Sequence, residues 1–574
     1  MKKILFPILA CALGLISASC SQSRLEIPQK GVIPMESFYK TDEDAVSAIT
    51  SVYHGFATNV ASFKRGNIYN SWMFAFNLPG DDVYAACKEY GNNDFQAEIN
   101  EFRFDSSNEI ISNCYALLYL ANYYCNLVTD NFGGDKADTP TKKRCVAEAR
   151  VIRAWIHMTL AIGWGTPPLV DHVLLGSDKP GNYQGTREDL LRWCAKECEE
   201  AAPDLYERES TADKDRTVIA TKGLAWTVQG KSLLFAGDYA GAKTALRKVI
   251  DSGKYALVPG ERWDENFHIE GDGNEEKIFE TNLIRNTNTS EWDQMAYSTW
   301  QHIMMWCWRT DRLAAVPAEV GVGANGWGGL GVREDFAEEF IENDGDSYRR
   351  KASIISYDEF LYELEYASDV DENGVPLTLD QKKKDPNRGI KDIRGLYGNG
   401  YYLAYKRIAS PADVEGHSTW SEANFPIFRY AEVLLMYAEC CAMVGDDDGM
   451  GLQVLNDIQR RAGAKHISSE LTLDEVKREK KFELFTEGCR WADCVRWGDI
   501  EGMLTAGDNI PTLYDHFFDA ENPTAEHEGY VLHHDYNADK PHGYIKGKHE
   551  LFPFPDNVTS INPNIVQNPG WSEQ

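Results

Sequence analysis

Apolar residues recur three and four positions apart along several stretches of this chain, a spacing that predicts helices with one buried face. In residues 41–56 the stripe is Ala45, Ala48, Ile49, Val52 and Tyr53, with Thr41 or Asp42 placed to cap its start. Residues 110–130 carry a second such pattern. Residues 142–164 carry a third, which Gly165 and the pair Pro167–Pro168 bring to a stop. Residues 220–250 hold two helical patterns parted by Gly237–Asp238, the second with Ala242, Ala245, Leu246 and Val249 on one face. Trp226, Gly230 and Ala242 fall at the offsets of a tetratricopeptide repeat, where small residues let two antiparallel helices approach closely. SGKYAL and NEEKIFE, just beyond, read as short extended pieces. Helical patterns return in FPIFRYAEVLLMYAECCAMVG, MGLQVLNDIQRRAG and TLDEVKREKKFELFTEGCRWADCVRWG.

Elsewhere the periodicity fails. Residues 282–332 combine Trp292, Tyr297, Trp300, Trp306, Trp308 and Trp327 with the stretch GVGANGWGGLG. Glycine at that density disfavours a continuous helix and predicts long loops with short elements. Residues 366–426 are irregular as well, and the closing LFPFPDNVTSINPNIVQNPGW has too much Pro and Asn for regular structure. The beginning differs again. Lys2 and Lys3 precede an apolar run from Ile4 to Ile16, then Ser17, Ala18, Ser19 and Cys20. The run is too short for a stable bilayer span and has the layout of a secretory signal. Cys20 reads as a lipobox cysteine whose thiol receives a diacylglyceryl group. Ser17 stands where Leu is usual, and an ordinary signal peptide with an incidental cysteine is the plain alternative. A polar tether, SQSRLEIPQKGVIP, follows.

Composition narrows the function. The 574 residues are 43% hydrophobic and 26% charged, an ordinary globular balance, and no later run is long enough for a transmembrane helix. A net charge of −31 argues against a nucleic-acid partner, which requires a basic face. Thirteen cysteines include Cys11 and Cys20 in the signal; the other eleven form no CxxC pair, so most read as small buried hydrophobes, with a disulfide or two left open. No P-loop, zinc-protease helix or nucleophile motif is recognisable.

Three groups of residues are candidates for a site. Glu483, Glu487, Arg490, Asp493 and Arg496 offer paired carboxylates, but at helical spacing they read as an ion-pair lattice rather than a glycosidase centre. The loop aromatics Trp292, Tyr297, Trp300, Trp306, Trp308 and Trp327, beside Asp293, suit a sugar: its C–H face stacks on rings and its hydroxyls take polar partners. Trp72, Tyr84 and Tyr90, in NSWMFAFNLPGDDVYAACKEYGNND, form a second aromatic loop. Burial in the core is the competing role for every one of these rings. Asp369, Asp371, Asn373 and Asp380 match part of a calcium loop, and a hairpin turning on Asn373–Gly374 gives the same letters.

Several motifs occur in the order found in the SusD/RagB family of outer-membrane nutrient-binding lipoproteins. FRYAEVLLMYAEC, with Arg429, Glu432, Ala438 and Glu439, resembles that family's Arg-x-x-Glu-Leu-Leu-x-x-Ala-Glu helix. LNDIQRRAG is similar to its Leu-Asn-x-Ile-Arg-x-Arg-Ala-Gly, with Gln459 at a usual Arg. EKKFELFTEGCRWADCVRWG resembles its Glu-Arg-x-x-Glu-Leu-x-x-Glu-Gly-x-Arg-x-x-Asp, with Lys480 at a usual Arg. RAWIHMTLAIGWGTPPLV, FYKTDEDAVSAI and the terminal segment ending at Trp571 fit as well. The resemblance implies an all-α, tetratricopeptide-like helix-pair core with a loop-rich variable region packed on it. It divides the chain into a signal (1–19), a lipid-anchored tether (20–40), an N-terminal helical region (41–260), a variable ligand-binding region (261–426) and a C-terminal helical region (427–574). It implies glycan capture at the outer membrane and delivery to a SusC-like TonB-dependent transporter; from the residues themselves no enzymatic activity and no required cofactor are expected, calcium at Asp369–Asp380 being the one candidate. A peptide-binding relative is the alternative, and a surface glycosidase stands behind it.

Overall fold

The computed structural model describes residues 38–61, 72–86, 94–283, 326, 328–360, 369–384, 400–414, 421–508, 510–513, 525–526, 530–533 and 541–572. Helices dominate. In chain order the longer ones are α1 (Asp42–Phe56), α2 (Trp72–Asn77), α3 (Asp94–Asn100), α4 (Glu109–Phe132), α5 (Pro140–Trp164), α6 (Arg187–Ala201), α7 (Lys222–Phe235) and α8 (Tyr239–Asp251). They continue with α9 (Glu334–Asp344), α10 (Tyr348–Ser353), α11 (Tyr430–Val444), α12 (Met450–Ala462), α13 (Leu473–Glu483) and α14 (Arg490–Trp497).

Local chemistry sets the helix starts. Thr41 and Asp44 form a reciprocal capping box at α1, Thr186 and Asp189 do the same at α6, and Asn108, Thr139 and Thr221 cap α4, α5 and α7. α5 is buried almost all round from Ala147 to Trp164, so its weak amphipathicity marks it as the central helix, packed by α1, α4 and α6. α7 and α8 form the expected pair. A Cβ on Gly230 would lie 2.5 Å from Leu246 Cγ, so only glycine permits this approach. α8 packs on α11, which packs on α12 and α13, extending the helical stack into the C-terminal region.

The end of the chain returns to α5. Phe552 N donates to Gly163 O at 2.8 Å, Trp164 Nε1 to Pro553 O at 2.9 Å, and Asn568 Nδ2 to Trp164 O at 3.1 Å. Phe552 stacks on Trp491 with ring centres 4.4 Å apart.

Short strands supplement the helices. β1 (Val83–Ala85), β3 (Leu330–Val332), β5 (Tyr402–Ala404) and β4 (Ile354–Ser356) form an antiparallel sheet in the order β1–β3–β5–β4. β2 (Lys277–Thr281) pairs with β6 (Phe425–Arg429). β7 (Ile510–Leu513), β9 (Tyr530–His533) and β8 (Ala525–Glu526) form a third sheet, linked to the first where Tyr401 N donates to Pro511 O at 2.9 Å.

Two helix expectations change. FPIFR is strand β6, not the first turns of α11, because residues 277–281 offer it a ladder. The long charged helix near residues 473–497 is two helices, α13 and α14. Thr486 (φ +57°) and Gly488 (φ +77°) break it, and a Cβ on Gly488 would lie 2.4 Å from the Trp72 ring. The nine described cysteines outside the signal are buried free thiols, as small hydrophobes would be.

Candidate functional site

The first sheet gathers the roots of both aromatic-rich segments. β1 and β3 pair in the register Val83↔Val332, Tyr84↔Gly331 and Ala85↔Leu330, and Ala86 N donates to Gly329 O at 3.1 Å. The chain therefore enters residues 87–93 and leaves residues 284–325 at neighbouring rungs of one ladder. At its other end, Leu283 N donates to Asn424 Oδ1 at 2.9 Å, beside the β2–β6 pair. Tyr84 crosses the ladder: a Cβ on Gly331 would lie 2.1 Å from its ring, so glycine is required beneath the tyrosine.

The turn ahead of β1 is strongly charged. Asp81 takes both arms of Arg490, at 2.6 and 2.8 Å. Burial opposes ionisation of Asp81, but Arg490 outweighs it and holds the carboxyl well below its usual range. Asp82 is buried too, and its Oδ1 has no hydrogen-bond partner. Burial first, and then the Asp81 charge, push its carboxyl up to about 7. Its backbone carbonyl accepts from Arg333 N, at the start of α9. At β5, Tyr401 stacks on Tyr530 at 4.5 Å and Tyr402 meets it edge-on at 5.9 Å.

Of the expected ligand contacts, Tyr84 stands in this sheet but is only 5% exposed. Trp72 is a core residue. It is 8% exposed, packs edge-on against Trp155 at 5.7 Å and Phe76 at 6.0 Å, and faces an internal void of about 30 Å³, too small for a ligand. The ligand role expected of Trp72 does not go with that placement; its neighbours along α5 and at Gly488 bury it. Tyr90, Trp292, Asp293, Tyr297, Trp300, Trp306, Trp308, Trp327 and the lipidation candidate Cys20 lie outside the described residues.

The calcium-like letters build a hairpin. Asp371 Oδ1 accepts from Asn373 N and Val375 N at 2.8 and 2.9 Å, Val370 bridges Pro376, and Gly374 turns at φ +77°. Asp380 belongs to the next helical turn, Leu379–Lys383. Among the described residues, no group of three or more His, Cys, Asp or Glu side chains is arranged to hold a metal ion.

The charged C-terminal residues form a buried lattice, as their spacing suggested, but most partners come from other elements. Glu483 receives Arg349, Arg429 and Arg461 at 3.1, 3.1 and 2.6 Å. Burial opposes its charge, yet Arg461, Arg429 and Arg349 prevail and hold it at about 2. Glu487 takes Lys406 and Arg429 at 2.7 and 2.5 Å. Asp493 pairs with Lys480 and, one turn on, with Arg496. Carboxylates tied this tightly to guanidinium groups are poor general acids, which need a raised pKa. Arg407 belongs to no motif or periodic pattern in the sequence. Its guanidinium is buried without a hydrogen-bond partner over the rings of Phe267 and Phe425, at 4.9 and 4.7 Å, on a backbone at φ +68°.

Among the described residues no helix is long and apolar enough to cross a membrane. Comparison with known proteins agrees with the architecture. A SusD-like protein of Bacteroides ovatus is 25% identical over 508 residues, covering 84% of this chain and 81% of that protein. The starch-binding protein SusD of Bacteroides thetaiotaomicron is 23% identical over 492 residues, covering 79% and 83%. Surface glycan-binding protein A of the same species, solved in complex with laminarihexaose, superposes with a TM-score of 0.68 at 18% identity, over 92% of this chain and all of that one. The SusD family pattern matches residues 275–571, more than half of the sequence, and the chain belongs to that family.

Proposed function

We propose that this protein is a surface-exposed outer-membrane lipoprotein, held by lipid at Cys20, that binds a nutrient glycan and delivers it to a SusC-like TonB-dependent transporter. The observation that carries the reading is the common root of the two aromatic-rich segments at the β1–β3 ladder. Two stretches that start or finish at adjacent rungs are held close at that point, which is what a shared aromatic cradle requires. The starch-binding and laminarihexaose-bound relatives support a polysaccharide or oligosaccharide as the cargo. Binding without turnover fits the tightly paired carboxylates of the C-terminal lattice.

The test is binding of the chain lacking residues 1–20 to a panel of polysaccharides and peptides, with Trp300→Ala and Trp306→Ala in parallel. Saturable binding to a polysaccharide without product formation, lost in either variant while folding is kept, is the expected result. Binding to peptides alone refutes the glycan reading in favour of a peptide-capturing protein, and release of sugar products refutes the non-enzymatic one.

A further inference from the structure

A second groove lies on the helical stack, sharing no residue with the first sheet. One wall is helix α4, where Tyr115, Tyr119 and Tyr123 repeat every four residues and so share one face. The opposite wall is the segment after α5 that includes Val170, Leu174 and Asp178, and the C-terminal segment closes the end with Asn562. The space measures about 390 Å³, within the range of small-molecule sites. The Tyr123 ring is 44% exposed and Leu174 36% exposed.

The polar lining is built, not incidental. Asn122 is fully buried and lines the groove. Its Nδ2 donates to Val170 O at 2.8 Å, which fixes the amide, and leaves Oδ1 with no hydrogen-bond partner. A buried acceptor left unsatisfied is costly and rare. Next to it, Asn126 is fully used: its Nδ2 donates to Val170 O and His172 O, while Arg153 donates to its Oδ1. Asp178 lines the groove, as does His172, which is hydrogen-bonded to Asp171 at 2.9 Å.

We infer that this groove binds one uncharged sugar residue, with a C–H face on the tyrosine wall and one hydroxyl donating to Asn122 Oδ1. Asp178 on the lining disfavours uronic acids and sulfated sugars, because bringing a like charge to it is unfavourable. The site goes beyond the function proposed above and does not depend on the aromatics of residues 284–325.

Saturation-transfer NMR on the full-length chain in detergent tests this with methyl β-glucopyranoside, methyl β-galactopyranoside, methyl α-mannopyranoside and, as the charged control, methyl β-glucuronide. At least one neutral glycoside is expected to bind, the glucuronide at least tenfold more weakly. Tyr123→Ala, at a half-exposed ring whose loss leaves the core intact, should weaken the neutral glycoside at least tenfold. The same loss on Tyr123→Ala is expected in a Trp300→Ala background, where the first site is already impaired. The inference is overturned if no neutral glycoside binds, if the glucuronide binds equally well, or if binding survives Tyr123→Ala. Binding lost in Trp300→Ala but kept in Tyr123→Ala places the sugar at the first site; this groove then falls while the earlier reading stands.

Discussion

Replacing Asp82 with Asn removes a proton-binding site from the root of β1 and should change how stability responds to pH. In the folded protein the carboxyl holds its proton up to about pH 7, against an ordinary value of 3.8. A raised carboxyl stabilises the fold fully below the unfolded value, and that contribution is lost as pH climbs toward the folded one. The shift of roughly three units corresponds to about 4 kcal/mol, at about 1.4 kcal/mol per unit. With an unfolding entropy of about 2.1 cal/mol/K per residue, a chain of this length loses about 1.2 kcal/mol per degree near Tm, so the effect is about 3 °C. Asn has the same shape and nothing to ionise. The melting temperature of Asp82→Asn minus that of the parent should therefore rise by about 3 °C between pH 4.5 and pH 8. Thermal scans followed by tryptophan fluorescence measure it. The low-lying carboxylates Glu483 and Asp493 titrate alike in both proteins and cancel in the difference. A difference that stays flat across that range, or falls, would show that Asp82 is ionised in the folded state and would refute the burial argument.

Gly331→Ala places a methyl where the Tyr84 ring lies and should cost about 1–3 kcal/mol through overpacking, read as a lower melting temperature. Glycan affinity should fall with it if the ladder roots the site. Arg429→Ala strips Glu276, Glu483 and Glu487 of a shared partner in the core, a loss of about 3–5 kcal/mol. Arg429→Lys should recover only part of it, because an ammonium cannot fork to three carboxylates. Thermal melts of both variants check the order. Cys20→Ala should move the protein from the membrane to the soluble fraction, and continued membrane association would exclude lipid anchoring at that residue.

The helices were legible because their signals are local. The stripe from Ala45 to Tyr53, the stop at Gly165 and the small residue at Gly230 each act within a few turns, and each appears where the pattern put it. Misreadings arose where a distant partner decides. FPIFR has the composition of a buried helix start, and only β2, about 150 residues earlier, makes it a strand. The break between α13 and α14 depends on the Trp72 ring pressing on Gly488, and the burial of Trp72 depends on Trp155. The four-stranded sheet was invisible because its strands are three residues long, below any periodic signal. Of the candidate site, the aromatic pattern points to Tyr84 but not to Gly331 across the ladder. The Asp81–Asp82 doublet after Pro79–Gly80 was the only trace of the charged turn.

The return of the C-terminal segment to α5 has a consequence for how the protein is made. A ribosome delivers α5 early, yet the indole of Trp164 waits for a carbonyl 389 residues further on. Until Phe552 and Asn568 arrive, the tip of the central helix keeps bare carbonyls and open aromatic surface. A chain cut short before residue 552 thus leaves the tip of α5 uncovered. Residues 552–568 act as a clasp on α5, and a chain without them cannot close it.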